Sequence, residues 1–145
     1  MNDKYFQIEF IKKQEGLKLK PYVDTVGKIT IGYGRNLTDV GITKQEAEIM
    51  LYTDLAIAEL HLKEIFSDYD EYPLDLKIVL TSMIFNLGKT RFLTFKKFIK
   101  AIKEKDYKKA ILESVNSKRY LQIPNRVEAE IALLKNLLKE NENEF

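Results

Sequence analysis

Residues 15–35 read EGLKLKPYVDTVGKITIGYGR, and the fold turns on how this run is divided. Ahead of it, Tyr5, Phe6, Ile8, Phe10 and Ile11 fall near enough to a helical stripe, with Lys12 and Lys13 in the last turn and Gly16 placed to end it. Within it, β-branched and aromatic residues are punctuated by Pro21, Gly27, Gly32 and Gly34. That pattern predicts a small antiparallel sheet, with a turn over 24–27 and a returning strand over 28–33. Glu15 then sits at a helix C-terminus and Asp24 in a tight turn.

Outward from this run the chain reads as helices. Thr43-Lys44-Gln45-Glu46 has the form of a capping box, and the stretch from Ala47 to about Phe66 has no Pro or Gly. Pro73 suits a first helical position and Gly88 a C-terminal cap. Further helices are expected after Thr94, after Asp106, and from Pro124 through Leu138, with the polar tail 140–144 fraying. A helix, a small sheet and then only helices is an α+β pattern with the strands segregated to one end. The 145 residues suit one domain, 1–145, with a small β lobe over about 16–42 and a helical lobe of 1–15 and 43–145. If the first helix packs on the helical lobe, Glu15 faces the sheet across a groove, the usual place for an extended polymer.

Composition removes several chemistries. The chain has no cysteine, which excludes disulfides and thiolate nucleophiles, and its single histidine, His61, leaves no two-histidine metal site and disfavours a Ser/His/Asp triad. His61 itself reads as a surface or boundary residue. A net charge of +2 gives no whole-chain argument for nucleic acid. The lysines between Lys96 and Lys109 recur among apolar positions and read as a solvated helix face. The N-terminus lacks the apolar run of a signal peptide, and no stretch approaches a membrane span, so a cytoplasmic start without stable membrane insertion is expected.

Carboxylates must therefore carry the chemistry. A carboxyl at a helix C-terminus meets the negative end of the macrodipole, which disfavours ionisation and suits a proton donor, so Glu15 is the candidate acid. Asp24, in a water-exposed turn, suits the ionised partner, and Thr30 can share a water with it if the hairpin folds back over the turn. Singly, each has a bland reading: a solvated helix end, a turn Asp bonding its own backbone, a β-forming threonine. Together they suit hydrolysis of a bond between sugars, in which one carboxyl donates a proton and the other orients water.

The segment resembles the active-site run of the phage-type lysozymes, the endolysin muramidases of tailed bacteriophages. Glu-Gly, an Asp nine residues on, a Thr six further and then Gly-x-Gly all match at once. The resemblance continues through Gly41-Ile42-Thr43-Lys44-Gln45-Glu46-Ala47-Glu48, Phe85-Asn86-Leu87-Gly88 and Pro124-Asn125-Arg126. It implies a lysozyme-like fold with the active-site cleft between the lobes. It also implies cleavage of the β-1,4 bond between N-acetylmuramic acid and N-acetylglucosamine in peptidoglycan, with inversion, by Glu15 as proton donor and Asp24 with Thr30 holding the water. No metal or cofactor is implied. Phe85 would line the cleft, its alternative being a core residue at a helix end, and Arg126 would reach back to the catalytic glutamate; both are candidate substrate-binding residues.

The chain departs from the family pattern at Arg35, where relatives often have histidine, at Glu128 and Ala129, where consecutive basic residues are common, and in the short stretch from Gly34 to Gly41. These departures put in doubt a lobe-stabilising pair, the attraction of one face for an anionic polymer, and the depth of the cleft. Alternatives on the same scaffold are a lytic transglycosylase and a non-catalytic peptidoglycan-binding module. The expected partner is peptidoglycan, not nucleic acid, and the expected state is a monomer. It would be held in the host cytoplasm, released by a phage membrane pore (a holin) and then act on the wall.

Overall fold

The computed structural model describes residues 2–143. Helix α1 spans Asp3–Glu15: the Asn2 side chain accepts from the Lys4 N–H at its start, and Gly16, at φ 69°, ends it by donating to the Lys12 carbonyl. Strands β1 (Lys18–Val23), β2 (Ile29–Gly32) and β3 (Arg35–Asn36) form an antiparallel sheet in the order β1-β2-β3. Lys18 pairs with Gly32 and Tyr22 with Thr30, so β1 carries extra residues between two pairs and bulges around Pro21. A proline has no N–H for the ladder and is accommodated at such an irregularity.

Seven α-helices are present among the described residues. Helix α2 (Lys44–Ile65) opens with the capping box in full: the Glu46 N–H bonds Thr43 Oγ1 at 3.1 Å and the Thr43 N–H bonds Glu46 Oε1 at 2.9 Å. Helix α3 (Leu74–Phe92) begins after Pro73 and is interrupted at Gly88, whose φ of 77° breaks the helical backbone where a cap was expected. Helices α4 (Lys96–Lys103) and α5 (Tyr107–Val115) follow, the second capped by Asp106 accepting from the Lys109 N–H. Such a cap is worth about 1 kcal/mol. Then come α6 (Lys118–Gln122), too short to show a period in the sequence, and α7 (Pro124–Asn143). The last helix runs on through most of the tail expected to fray, of which Glu144 lies outside the described residues. The mostly helical chain with one small antiparallel sheet is of the α+β class expected from the sequence.

By compactness the chain divides into Met1–Met50 and Leu51–Phe145. The first unit takes in α1 and the sheet, whereas the sequence grouped 1–15 with the helices. No residue of α1 is buried: Tyr5, Phe6, Ile8, Phe10 and Ile11 are 43–63% exposed, so the apolar stripe correctly marked a helix without marking a core. In the second unit Leu62, Phe66, Leu76, Leu80, Phe92, Phe98 and Leu134 are all but completely buried, each contributing about 1.5–3 kcal/mol by leaving water. Phe98, Ile99, Ala101 and Ile102 form the inner face of α4, while Lys96, Lys97, Lys100 and Lys103 stay in solvent as a charged outer face.

Candidate active site

Glu15 ends α1 with its side chain exposed and set against the Gly-x-Gly turn of the sheet. A Cβ at Gly34 would lie 2.5 Å from Glu15 Oε2 and 2.9 Å from its Cδ. Gly34 also has φ +72°, a left-handed conformation that L side chains rarely adopt. Two independent demands therefore fall on this glycine, and one of them is the carboxyl itself. Between the two glycines, the Tyr33 ring receives Lys12 Nζ 5.5 Å from its centroid, a second tie between the last turn of α1 and the turn after β2.

Asp24 follows β1 directly. Its Oδ1 accepts from the Val26 N–H at 3.0 Å and the Lys28 N–H at 2.8 Å, the self-bonding turn expected of an aspartate here. Its Oδ2 takes no hydrogen bond among the described residues. Thr30, on the middle strand, is 4% exposed, and its hydroxyl donates to the Lys28 carbonyl at 3.0 Å. That same carbonyl accepts from the Asp24 N–H at 2.9 Å. The backbone of Lys28 thus joins the two candidates, its N–H donating to the Asp24 carboxylate and its C=O accepting from the Thr30 hydroxyl. The β1 bulge works in the same direction: four residue steps from Lys18 to Tyr22 face two from Gly32 to Thr30, which removes about 7 Å of ladder between the Glu15 end of β1 and Asp24.

Arg35, in place of the family's frequent histidine, forms a forked pair with Glu46 at 2.8 and 2.7 Å and also donates to the Gly41 carbonyl at 3.2 Å. The Glu46 carboxyl is held down at about 2, first by the Arg35 hydrogen bonds and then by the Thr43 N–H. The short 34–41 segment is closed by these bonds and by Lys28 Nζ against Asp39 at 3.3 Å. An open, mostly apolar hollow of about 730 Å³ lies alongside, walled by Ile31, Tyr33, Ile42, Ile49 and Met50 with the Arg35–Glu46 pair.

Residues 12–129 match the phage lysozyme family, most of the chain. This chain is a phage lysozyme by family. It is 28% identical to "Probable T4-type lysozyme 1" of Dictyostelium discoideum over 158 aligned positions, covering 87% of this chain and 91% of that protein. It is 35% identical over 121 positions to "Endolysin" of Acyrthosiphon pisum secondary endosymbiont phage 1, covering 75% and 80%. Membership makes the chain a lysozyme-type glycoside hydrolase. Among the described residues no three His, Cys, Asp or Glu side chains are grouped to hold a metal, and no helix is long and apolar enough to cross a membrane.

The two remaining candidates of this lysozyme lie in its helical unit. Phe85 is 43% exposed, while its neighbours Ile84 and Leu87 are buried, so the structure gives it a surface position and not a core one. With Asp54, Ile57, His61 and Lys89 it lines a hollow of about 220 Å³, which gives the lone histidine a place beside a candidate residue. Arg126 donates through Nε to Ser82 Oγ at 3.1 Å and through Nη2 to the Ser82 carbonyl at 2.9 Å, with Glu130 Oε2 3.8 Å away. Beneath it is a group the sequence reading passed over. Arg119 and Glu130, 5% and 4% exposed, form a forked ion pair, with Nη2 to Oε2 at 2.9 Å. Ser82 Oγ donates to Glu130 Oε2 at 2.6 Å, and Arg119 Nε donates to Asn86 Oδ1 at 3.0 Å. A signal was available: Glu130 falls in the apolar stripe Val127, Ile131, Leu134 of α7, where a lone acid requires a buried partner.

Proposed function

We propose that this lysozyme is an inverting muramidase, cleaving the β-1,4 bond between N-acetylmuramic acid and N-acetylglucosamine with Glu15 as acid and Asp24 with Thr30 holding the attacking water. The observation that carries the reading is the pair of hydrogen bonds made by the Lys28 backbone. It leaves Asp24 Oδ2 available and makes Thr30 Oγ an acceptor, because the threonine proton is already given to a carbonyl. Two acceptors can take both hydrogens of one water, leaving its lone pair for the anomeric carbon. Glu15, on an exposed helix end, gives its proton to the departing sugar oxygen; Asp24 receives the proton that the water loses. The bond forms on one face as it breaks on the other, so the anomeric centre inverts. This reading requires the two carboxyls roughly 6.5–9.5 Å apart with a water between them.

Peptidoglycan is then the partner, Phe85 and Arg126 its contacts on the helical unit, and storage in the host cytoplasm until a membrane pore opens the natural regulation of a wall-cutting enzyme. The test is clearing of chloroform-treated Gram-negative cells by wild type, Glu15→Gln and Asp24→Asn, with the products analysed by mass spectrometry. The expected loss in each variant is on the order of 10²–10⁴-fold with the fold retained. Products ending in an anhydro ring would make the enzyme a transglycosylase. Full clearing by Glu15→Gln would remove the assignment of the acid.

A further inference from the structure

We infer that Asn86 is a specificity-determining residue: held by the buried Arg119, its side-chain NH₂ group donates to an amide carbonyl of the wall polymer, on a sugar acetamido group or in a stem peptide. The inference rests on the muramidase reading and adds a contact to it. Asn86 follows Phe85 on α3, and both are exposed, while Met83, Ile84 and Leu87 around them are buried. The helix that carries the pair is thus anchored in the core, and just before the break at Gly88 it leaves an aromatic ring and an amide in solvent. A few fixed polar groups beside apolar surface are what give a ligand its orientation.

The amide is not free to turn. Arg119 Nε donates to Asn86 Oδ1 at 3.0 Å. A guanidinium has donors and no acceptor, so the group that meets it is the amide oxygen, and the NH₂ group is turned away from it. Arg119 is itself fixed: it is buried, and its two Nη groups fork onto the buried Glu130. Glu130 Oε2 also accepts from Ser82, one turn before Asn86 on α3, so the bonds close a loop through α6, α7 and α3. Asn86 Nδ2 gives no hydrogen bond among the described residues, which leaves two N–H groups facing water. Closing Arg119 Nε takes only an acceptor, and a carboxylate would serve as well; what the asparagine adds is the outward donor. Its complement is a carbonyl oxygen. The proposed substrate offers one on the acetamido group of each sugar and one at each peptide link. An amide fixed before binding is spared the ordering cost that a mobile side chain meets when it is immobilised.

Asn86→Asp decides the matter, because it keeps the shape and an oxygen for Arg119 and replaces only the outward donor with an acceptor. The full chain is made as wild type, Asn86→Asp, Asn86→Ala and the Arg119→Met/Glu130→Met double variant, in which an apolar pair replaces the ionic one and no buried charge is left alone. KM and kcat are measured on isolated sacculi, binding to sacculi in a Glu15→Gln background, and stability by urea unfolding. Asn86→Asp is expected to raise KM and the dissociation constant roughly tenfold. Its kcat should move far less, and it should unfold no more easily than wild type. Asn86→Ala should match it in KM and also lose stability, since Arg119 Nε is then left unpaired. The double variant, whose amide can turn, should fall between wild type and Asn86→Asp. An unchanged KM in Asn86→Asp would overturn the donor role, and a wild-type KM in the double variant would overturn the positioning by Arg119. Glycan strands stripped of peptides and N-deacetylated sacculi separate the two carbonyls. A difference between wild type and Asn86→Asp that is kept on the first and lost on the second assigns the acetamido group, and the reverse assigns the stem peptide. A difference kept on both would overturn the carbonyl. Failure of the muramidase reading looks different: wild type would release no muramic-acid reducing ends at all.

Discussion

The sheet unit and the helical unit are held together by different physics. Among the described residues up to 50, the one buried side chain is a polar one, Thr30, whereas every buried apolar side chain lies at or beyond Ala58. The helical unit is a packed core with one buried ion pair, Arg119–Glu130, in it. The sheet unit is a framework of turns, positive-φ glycines, backbone ladders and one forked ion pair, with Leu19, Val23, Val26 and Val40 turned outward. The difference teaches where tolerance lies: stability is concentrated beyond residue 50, while the candidate residues Glu15, Asp24 and Thr30 and their supports are concentrated before it.

The largest effect should fall on the core. Leu80 is completely buried and Leu19 is 81% exposed, so the same truncation probes both units. Leu80→Ala is expected to cost about 3 kcal/mol through lost transfer energy and the cavity left behind. Leu19→Ala should stay within about 0.5 kcal/mol. Urea unfolding measures both; near-equal losses would mean that the sheet unit has a core of its own and would break the comparison.

The second effect separates strain from function within the sheet unit. Gly34 and Gly41 have nearly the same backbone, φ +72° and +66°, but a Cβ meets Glu15 at the first and nothing within 4 Å at the second. Each change to alanine should cost about 1–2 kcal/mol for an L residue in the left-handed region. Only Gly34→Ala should also displace the carboxyl, and a misplacement of about 1 Å can cost on the order of 10²-fold in rate. Cell clearing by the two variants, compared at matched stability, tells these apart. Equal activities would mean that Gly34 serves the turn and not the acid.

Much of this arrangement could be read from the residues because the signals were local. The Gly16 stop, the turn at Asp24, the capping box at Thr43, the Asp106 cap and the start at Pro124 each act over a few residues, and each is found where its chemistry places it. What escaped depends on partners distant in the chain. Strand β3 is two residues long and exists only by pairing with β2, and α6 is five residues, shorter than two helical turns. Arg119 and Glu130 are individually ordinary surface residue types, and only the packing of α3, α6 and α7 makes them a buried pair. Of the candidate site, the residues could be named from the sequence but not what holds them. Neither the Lys28 backbone between Asp24 and Thr30 nor the fit of Glu15 on Gly34 follows from spacing alone.

The smallest effect is acid sensitivity, and it should appear in the sheet unit alone. The Glu46 carboxyl is held at about 2, well below its ordinary value, chiefly by the Arg35 hydrogen bonds. A carboxyl whose folded value is depressed contributes stability in full above its unfolded value of about 4.5. That contribution is lost as pH falls from about 4.5 towards 2. Both partners are more than a third exposed, so the pair is screened by salt and its share is modest. The side-chain half of the capping box weakens with it, because Glu46 Oε1 serves the Thr43 N–H as well as Arg35. The Glu46 carboxyl carbon, followed by NMR at low salt, should titrate near pH 2. Amides of residues 35–46 should then lose protection between pH 4.5 and 2, while those of α3 and α7 keep theirs. In Glu46→Gln that window should be flat, and protection around residues 35–46 should be reduced already at neutral pH. Equal acid sensitivity of both units would show that the forked pair does not hold the sheet unit, which would then owe its closure to the backbone bonds of the 36–41 turn.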